Sequence, residues 1–188
     1  MVASQELLSR SSSALAETEN GPAVERQTIE QTMESLPNGT RRLAVQLRTP
    51  IKMSVLWSVL TDYDQLSQFI PNLESSTLIS RTGNTVQLIQ VGTQKLMGLR
   101  FTAQVQLELT EEPAESMLRF HLLKGDFRRF EGAWKMQELP EGTSLLYELT
   151  VQGCMGMPIA LIEQRLREDL SANLLAVENE ALRRHSLA

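Results

Sequence analysis

Val55 to Leu73 reads VLWSVLTDYDQLSQFIPNL, and its meaning comes from what flanks it. Ser54 to Leu60 can form a short helix with Val55, Leu56 and Val59 on one face, after Thr49-Pro50 has ended the preceding element. Thr61 to Asp64 interrupts it, Gln65 to Phe69 makes a second helical turn, and Pro71 stops propagation. Upstream, Arg41 to Thr49 alternates Leu43, Val45 and Leu47 against polar or small residues, the period of a strand with one buried face. Two short helices therefore interrupt a chain that is otherwise building a sheet.

Downstream the strand pattern resumes. Ser75 to Ser80 and Thr85 to Thr93 flank Arg81-Thr82-Gly83-Asn84, whose Gly-Asn pair is a turn signal, so the pair reads as a hairpin. Phe101, Ala103, Val105, Leu107 and Leu109 alternate with Thr102, Gln104, Gln106 and Glu108. Met117 to Lys124, Arg128 to Leu139 and Thr143 to Val151 repeat the logic, separated by turns at Glu112-Pro113, Gly125-Asp126 and Pro140-Glu141-Gly142. Short turns between successive strands imply antiparallel neighbours.

Pro158 opens a long helix, in which Ile159, Ile162, Leu166, Leu170, Leu174, Val177 and Ala181 form one apolar stripe. The only large surface for that stripe is the common inner face of the strands. The order predicts an α+β helix-grip fold: a curved antiparallel sheet wrapped around the C-terminal helix, with two short helices after the first strand. Residues 1–39 read as a mobile tail with a weak helix at Val24 to Leu36, where Ile29, Met33 and Leu36 share a face, and residues 40–185 as the folded domain.

Composition narrows the function. The 188 residues are 41% hydrophobic, enough for one core. With 18 basic against 23 acidic residues the net charge is -5, which disfavours general nucleic-acid binding. Cys154 is the single cysteine and His121 and His185 the only histidines, so no metal-ligand spacing or internal disulfide exists, and a reducing, cytoplasmic setting is expected. No stretch approaches the length of a membrane-spanning helix, and the N-terminal residues lack the apolar core of a signal peptide.

With these elements in place, the chain resembles the START-like (SRPBCC) superfamily, and within it the polyketide cyclase/dehydrase and coenzyme Q-binding branch. The residues carrying the resemblance are VLWSVLTDYDQLSQFIPNLESSTLI, then GLRF at Gly98 to Phe101, then GDFRRFEGAWKMQELPEGTSLLYEL with its Phe-x-x-Phe-x-Gly-x-Trp pattern. It spans about Arg41 to Arg184. The resemblance implies an apolar cavity between the long helix and the sheet, used by relatives for lipids, isoprenoid quinones, sterols or polyketides. Candidate ligand-binding residues are Phe101, Val105, Phe120, Phe130, Trp134, Tyr147, Ile162, Leu166 and Leu170. At 5% aromatic content these rings cannot fill the interior alone.

Leu96, Met97 and Leu99 in one connection, and Met155 and Met157 just before the helix, place apolar residues where polar turns are usual. They are candidate gates to the cavity; the same residues would also serve simply to cap the ends of the core. His121 alternates with Leu118 and Phe120 and is expected to face solvent, and Cys154 has no activating base. Asp62 is expected to cap the second small helix or to stabilise its turn, and Tyr63 to join the core. Lys124, Arg128 and Arg129 could touch anionic headgroups or simply form a solvated turn.

No catalytic residue, metal or cofactor is assigned. The expected function is binding, and transport or chaperoning, of a hydrophobic ligand such as a lipid or isoprenoid quinone, with transient membrane-surface contact and no nucleic-acid partner. A polyketide cyclase or dehydratase is the alternative, for which several polar groups should line the inner face. That face reads as almost wholly apolar. A third reading is an interaction module whose N-terminal segment contacts a protein partner. Sequence does not specify the oligomeric state.

Overall fold

A computed structural model describes residues 29–96, 98–154 and 159–186. Eight strands form one antiparallel sheet: β1 (Glu30–Leu36), β2 (Thr40–Thr49), β3 (Leu73–Thr82), β4 (Thr85–Leu96), β5 (Leu99–Glu112), β6 (Met117–Gly125), β7 (Phe127–Leu139) and β8 (Gly142–Gly153). Their order is β1-β2-β8-β7-β6-β5-β4-β3. Helix α1 (Met53–Leu60) and a 3₁₀ segment (Tyr63–Gln68) link β2 to β3, and α2 (Ile159–His185) closes the described chain. This is the helix-grip arrangement that the hydrophobic periodicities predict.

The alternations become burial directly. Leu43, Val45 and Leu47 of β2 are fully buried, as are Leu145 of β8, Leu174 and Val177 of α2, and Leu56 and Val59 of α1. Gly83-Asn84 turns β3 into β4 with Thr82 paired to Thr85, as the dipeptide indicates. α2 packs on α1, β2 and β8. Burial along it is deepest from Leu170 to Ala181, so its C-terminal half is the part that closes the core.

Over Glu30–Leu36 a first strand replaces the helix expected at Val24 to Leu36; residues 1–28 of the expected tail, Val24 among them, lie outside the described residues. Glu30–Leu36 is extended and pairs with β2 from Glu30↔Gln46 to Leu36↔Thr40. The sheet thus includes residues that sequence patterning places in a tail, and the two small helices follow its second strand. Two causes are physical. β2 would otherwise present a row of unpaired backbone groups, and Pro37-Asn38-Gly39 supplies the turn that returns the chain. Asn38 (φ 59°) and Gly39 (φ 73°) take left-handed conformations suited to such a turn. Within β1, Gln31 and Met33 point inward between exposed Glu30, Thr32 and Glu34, a period of two that is also present in the sequence.

The Tyr-Asp turn is fixed by side chains. Tyr63 is buried, and its hydroxyl donates to Glu111 Oε1 at 2.6 Å. Arg81 grips the same carboxylate with two bonds of 2.9 Å and lies 5.7 Å from the Tyr63 ring centroid. Asp62 does not cap the following 3₁₀ segment. It pairs instead with Arg184 of α2 at 3.0 Å. The turn is held by Asp64, whose Oδ1 accepts the Leu78 backbone N–H at 2.8 Å. Arg184 and Arg183 also clamp Glu180, holding its carboxyl down at about 2.

Candidate functional site

Residues that alternate inward on β4 to β8, together with α2 and the segment from Leu60 to Leu73, enclose a cavity of about 390 Å³. Its volume exists because one wall is bare: Gly92 of β4 is paired with Ala103 of β5, and both line the space. Two adjacent inward positions without bulk leave a void that their neighbours cannot fill.

Of the residues singled out from the sequence, Phe101 and Val105 line it from β5, Phe120 from β6, Phe130 and Trp134 from β7, Tyr147 from β8, and Leu166 and Leu170 from α2. Trp134 and Tyr147 stack face to face, centroids 4.0 Å apart and planes within 3°. Phe120 contacts both Phe130 and Tyr147 at 5.8 and 6.1 Å between centroids. These rings form one aromatic wall. Phe101 is 47% exposed, although it lines the cavity, so it stands at the mouth. Met97, Met155 and Met157 lie outside the described residues, as do the side chains of Leu96, Leu99 and Ile162.

The expectation of an almost wholly apolar inner face needs correcting at one end. Asp169 of α2 lines the cavity and is held by two neutral amides: Asn72 Nδ2 donates to Oδ1 at 3.1 Å, and Gln94 Nε2 donates to Oδ2. Burial pushes this carboxyl up to about 6, against the opposing pull of the Asn72 hydrogen bond and the Arg165 charge. Burial and the Asp169 charge likewise raise the Tyr147 hydroxyl far above its usual range. Asn173, one turn beyond Asp169 on α2, also lines the cavity, and its Oδ1 is buried with no partner among the described residues.

These polar groups were readable in principle. Asp169 follows Leu166 by three residues and Asn173 follows Leu170 by three, so both share the face of the leucine stripe. Reading the stripe by its apolar members alone hides them. Asn72 is the penultimate residue of the run that opens at Val55; it adopts φ 61°, and its carbonyl accepts the Thr93 N–H at 2.8 Å, which fixes the amide against α2.

His121 is exposed, with Nε2 3.9 Å from Glu108, and Cys154 is exposed and unpaired. Among the described residues no group of three His, Cys, Asp or Glu side chains is placed to hold a metal ion. Asp169 lines the cavity with a raised carboxyl, and its effect on stability has a defined sign. Its carboxyl holds a proton to about pH 6 in the folded chain, whereas an unfolded aspartate releases it near 4. Between those values the folded state binds more protons, so this group makes stability fall as pH rises. Asp169→Asn is expected to remove that decline in urea denaturation measured across the window; an unchanged slope would contradict it.

Residues 49–178, which supply most of the cavity wall, are matched by the family model for polyketide cyclase/dehydrase and lipid transport proteins. The chain belongs to this family. Solved structures of the START superfamily share its fold. A STAR-related lipid transfer protein from Xanthomonas axonopodis superposes with a TM-score of 0.73 at 16% identity, covering 81% of this chain and 93% of that one. The Zhui aromatase/cyclase from Streptomyces sp. R1128 gives 0.69 at 15%, covering 77% and 95%. A protein from Thermus thermophilus gives 0.68 at 21%, covering 75% and 97%. At such identities the likeness establishes the fold alone. No curated protein sequence matches the chain. The family description names both cyclase/dehydrase and lipid-transport proteins, so membership by itself does not choose between them.

Proposed function

We propose that this START-like protein binds an elongated hydrophobic ligand, a lipid or isoprenoid quinone, in its cavity and carries it to and from a membrane surface without altering it. The observation that supports this best is the composition of the cavity wall. Aromatic and aliphatic side chains from five strands and α2 surround it, and polar groups gather near Asp169. Burying apolar ligand area there contributes roughly 25 cal/mol per Å², less the cost of association.

Exchange at a membrane is supported by the mouth. Phe101 at the mouth is an exposed apolar side chain, 47% accessible; on β6, outside the cavity lining, Leu123 is 44% accessible, and Lys124 and Arg128 beyond it are exposed. Basic residues beside an anionic surface contribute about 1 kcal/mol each. No described helix is long and apolar enough to cross a membrane. A carrier peripheral to a membrane is the reading that fits these features.

The test is transfer between vesicles. Full-length protein is expected to accelerate movement of a fluorescent polyprenyl lipid from donor to acceptor vesicles, more strongly when both contain anionic lipid, and Phe101→Asp is expected to slow transfer about tenfold. Transfer no faster than without protein would contradict the carrier role.

Asp169 favours one second reading, a cyclase or dehydratase acting on an aromatic or polyketide substrate. A carboxyl titrating near 6 beside apolar walls is suited to proton transfer at neutral pH. Turnover of a poly-β-ketone substrate that Asp169→Asn abolishes would establish it over the carrier reading.

A further inference from the structure

We propose that the Asp169 carboxylate, with Asn173 one turn beyond it on α2, forms a polar anchor inside the cavity that selects a ligand ending in a hydroxyl group, in preference to one whose polar end offers only acceptors. This rests on the carrier reading and narrows its ligand class.

The polar end holds unused hydrogen-bonding capacity. An ionised carboxylate has about four lone-pair positions, and Asn72 and Gln94 occupy one on each oxygen of Asp169. Both donors are neutral amides. Asn173 adds a second acceptor on the same helix face, with no partner among the described residues. Acceptors are therefore in excess, and an apolar molecule filling the cavity would leave them unmet at a cost of about 1–3 kcal/mol for each neutral group. A ligand that brings a donor removes that cost.

Which donor fits follows from the charges around it. A ligand hydroxyl can donate to Asp169 or to the Asn173 oxygen, whereas a ketone or quinone carbonyl has no proton to give them. An ammonium could donate too, but it brings a second positive charge. Arg165 already stands in the lining, where its charge acts on Asp169, so a second cation would meet repulsion. Among redox pairs, the same logic favours a quinol over its quinone.

The test compares farnesol with farnesyl methyl ether, which differ at the polar end by the donor, using calorimetric titration of delipidated full-length protein at about pH 7.5, where Asp169 is ionised. Farnesol is expected to bind about tenfold more tightly. In Asp169→Leu the preference is expected to fall to about one with ether binding retained, and in the near-isosteric Asp169→Asn, which preserves the local packing, to below about threefold. Equal wild-type affinities would overturn the anchor and leave the carrier reading standing. A preference that survives both substitutions would overturn the role of Asp169. Failure of both compounds to bind would overturn the carrier reading and the anchor with it.

Discussion

Ala103→Trp is expected to reduce ligand affinity by about a hundredfold while leaving the protein folded and at least as stable as the parent. Ala103 lies in the inward row of β5 between Phe101 and Val105, opposite Gly92 of β4, at the bare patch that gives the cavity its volume. An indole placed there would occupy space otherwise available to ligand. Loss of about 100 Å² of ligand contact at roughly 25 cal/mol per Å² is about 2.5 kcal/mol, which sets the expected factor. Filling a void should not destabilise the fold as overpacking a filled core would. Titration with a polyprenyl alcohol and urea denaturation check the two halves. Wild-type affinity in the variant would show that ligand does not use this cavity.

Gly132→Ala is expected to act in the opposite way, destabilising the fold by about 3 kcal/mol or more. Gly132 is the glycine of the Phe-x-x-Phe-x-Gly-x-Trp pattern, between Phe130 and Trp134 on β7. It pairs with Phe120 of β6 and Leu149 of β8. A Cβ at this position would penetrate the backbone carbonyl oxygen of Glu148 and come within 2.8 Å of Phe120 Cζ. The obstruction includes backbone, so no side-chain rotation relieves it. For a chain of this size, a loss of about 3 kcal/mol lowers Tm by roughly 10 °C, and thermal unfolding followed by circular dichroism would measure it. A Tm within about 2 °C of the parent would contradict the steric account. The motif glycine thus has a physical role: it lets the aromatic wall sit close to β8.

Each element was legible as far as its own signal reached along the chain. β2, β5 and the core half of α2 could be read because their alternation or stripe is long and both faces differ in polarity, as Leu43-Val45-Leu47 and Leu170-Leu174-Val177 show. β1 was misread because Ile29, Met33 and Leu36 also satisfy a helical spacing over so short a run. The arbiter, pairing with β2 through the Pro37-Asn38-Gly39 turn, is a contact between segments.

Eight of the nine residues proposed from the sequence to bind ligand line the cavity, because they share the inward faces of their strands and helix. The ninth, Ile162, has no described side chain. The polar end escaped notice because its parts are distant in sequence. Asn72, Gln94, Tyr147 and Asp169 come from a turn, two strands and a helix, and no local pattern joins them. Asp62 illustrates the same limit, since its position before a 3₁₀ segment suggests a cap while its partner, Arg184, lies at the far end of the chain.

Whether the cavity holds an apolar molecule decides the carrier reading. Native mass spectrometry of full-length protein purified from its own source without detergent, followed by organic extraction and lipid profiling, measures this directly. The expected result is one bound hydroxyl-bearing lipid or isoprenoid quinol per chain, absent from Ala103→Trp purified in parallel. Wild-type protein that is reproducibly empty, or that carries the same molecule as the blocked variant, would contradict it.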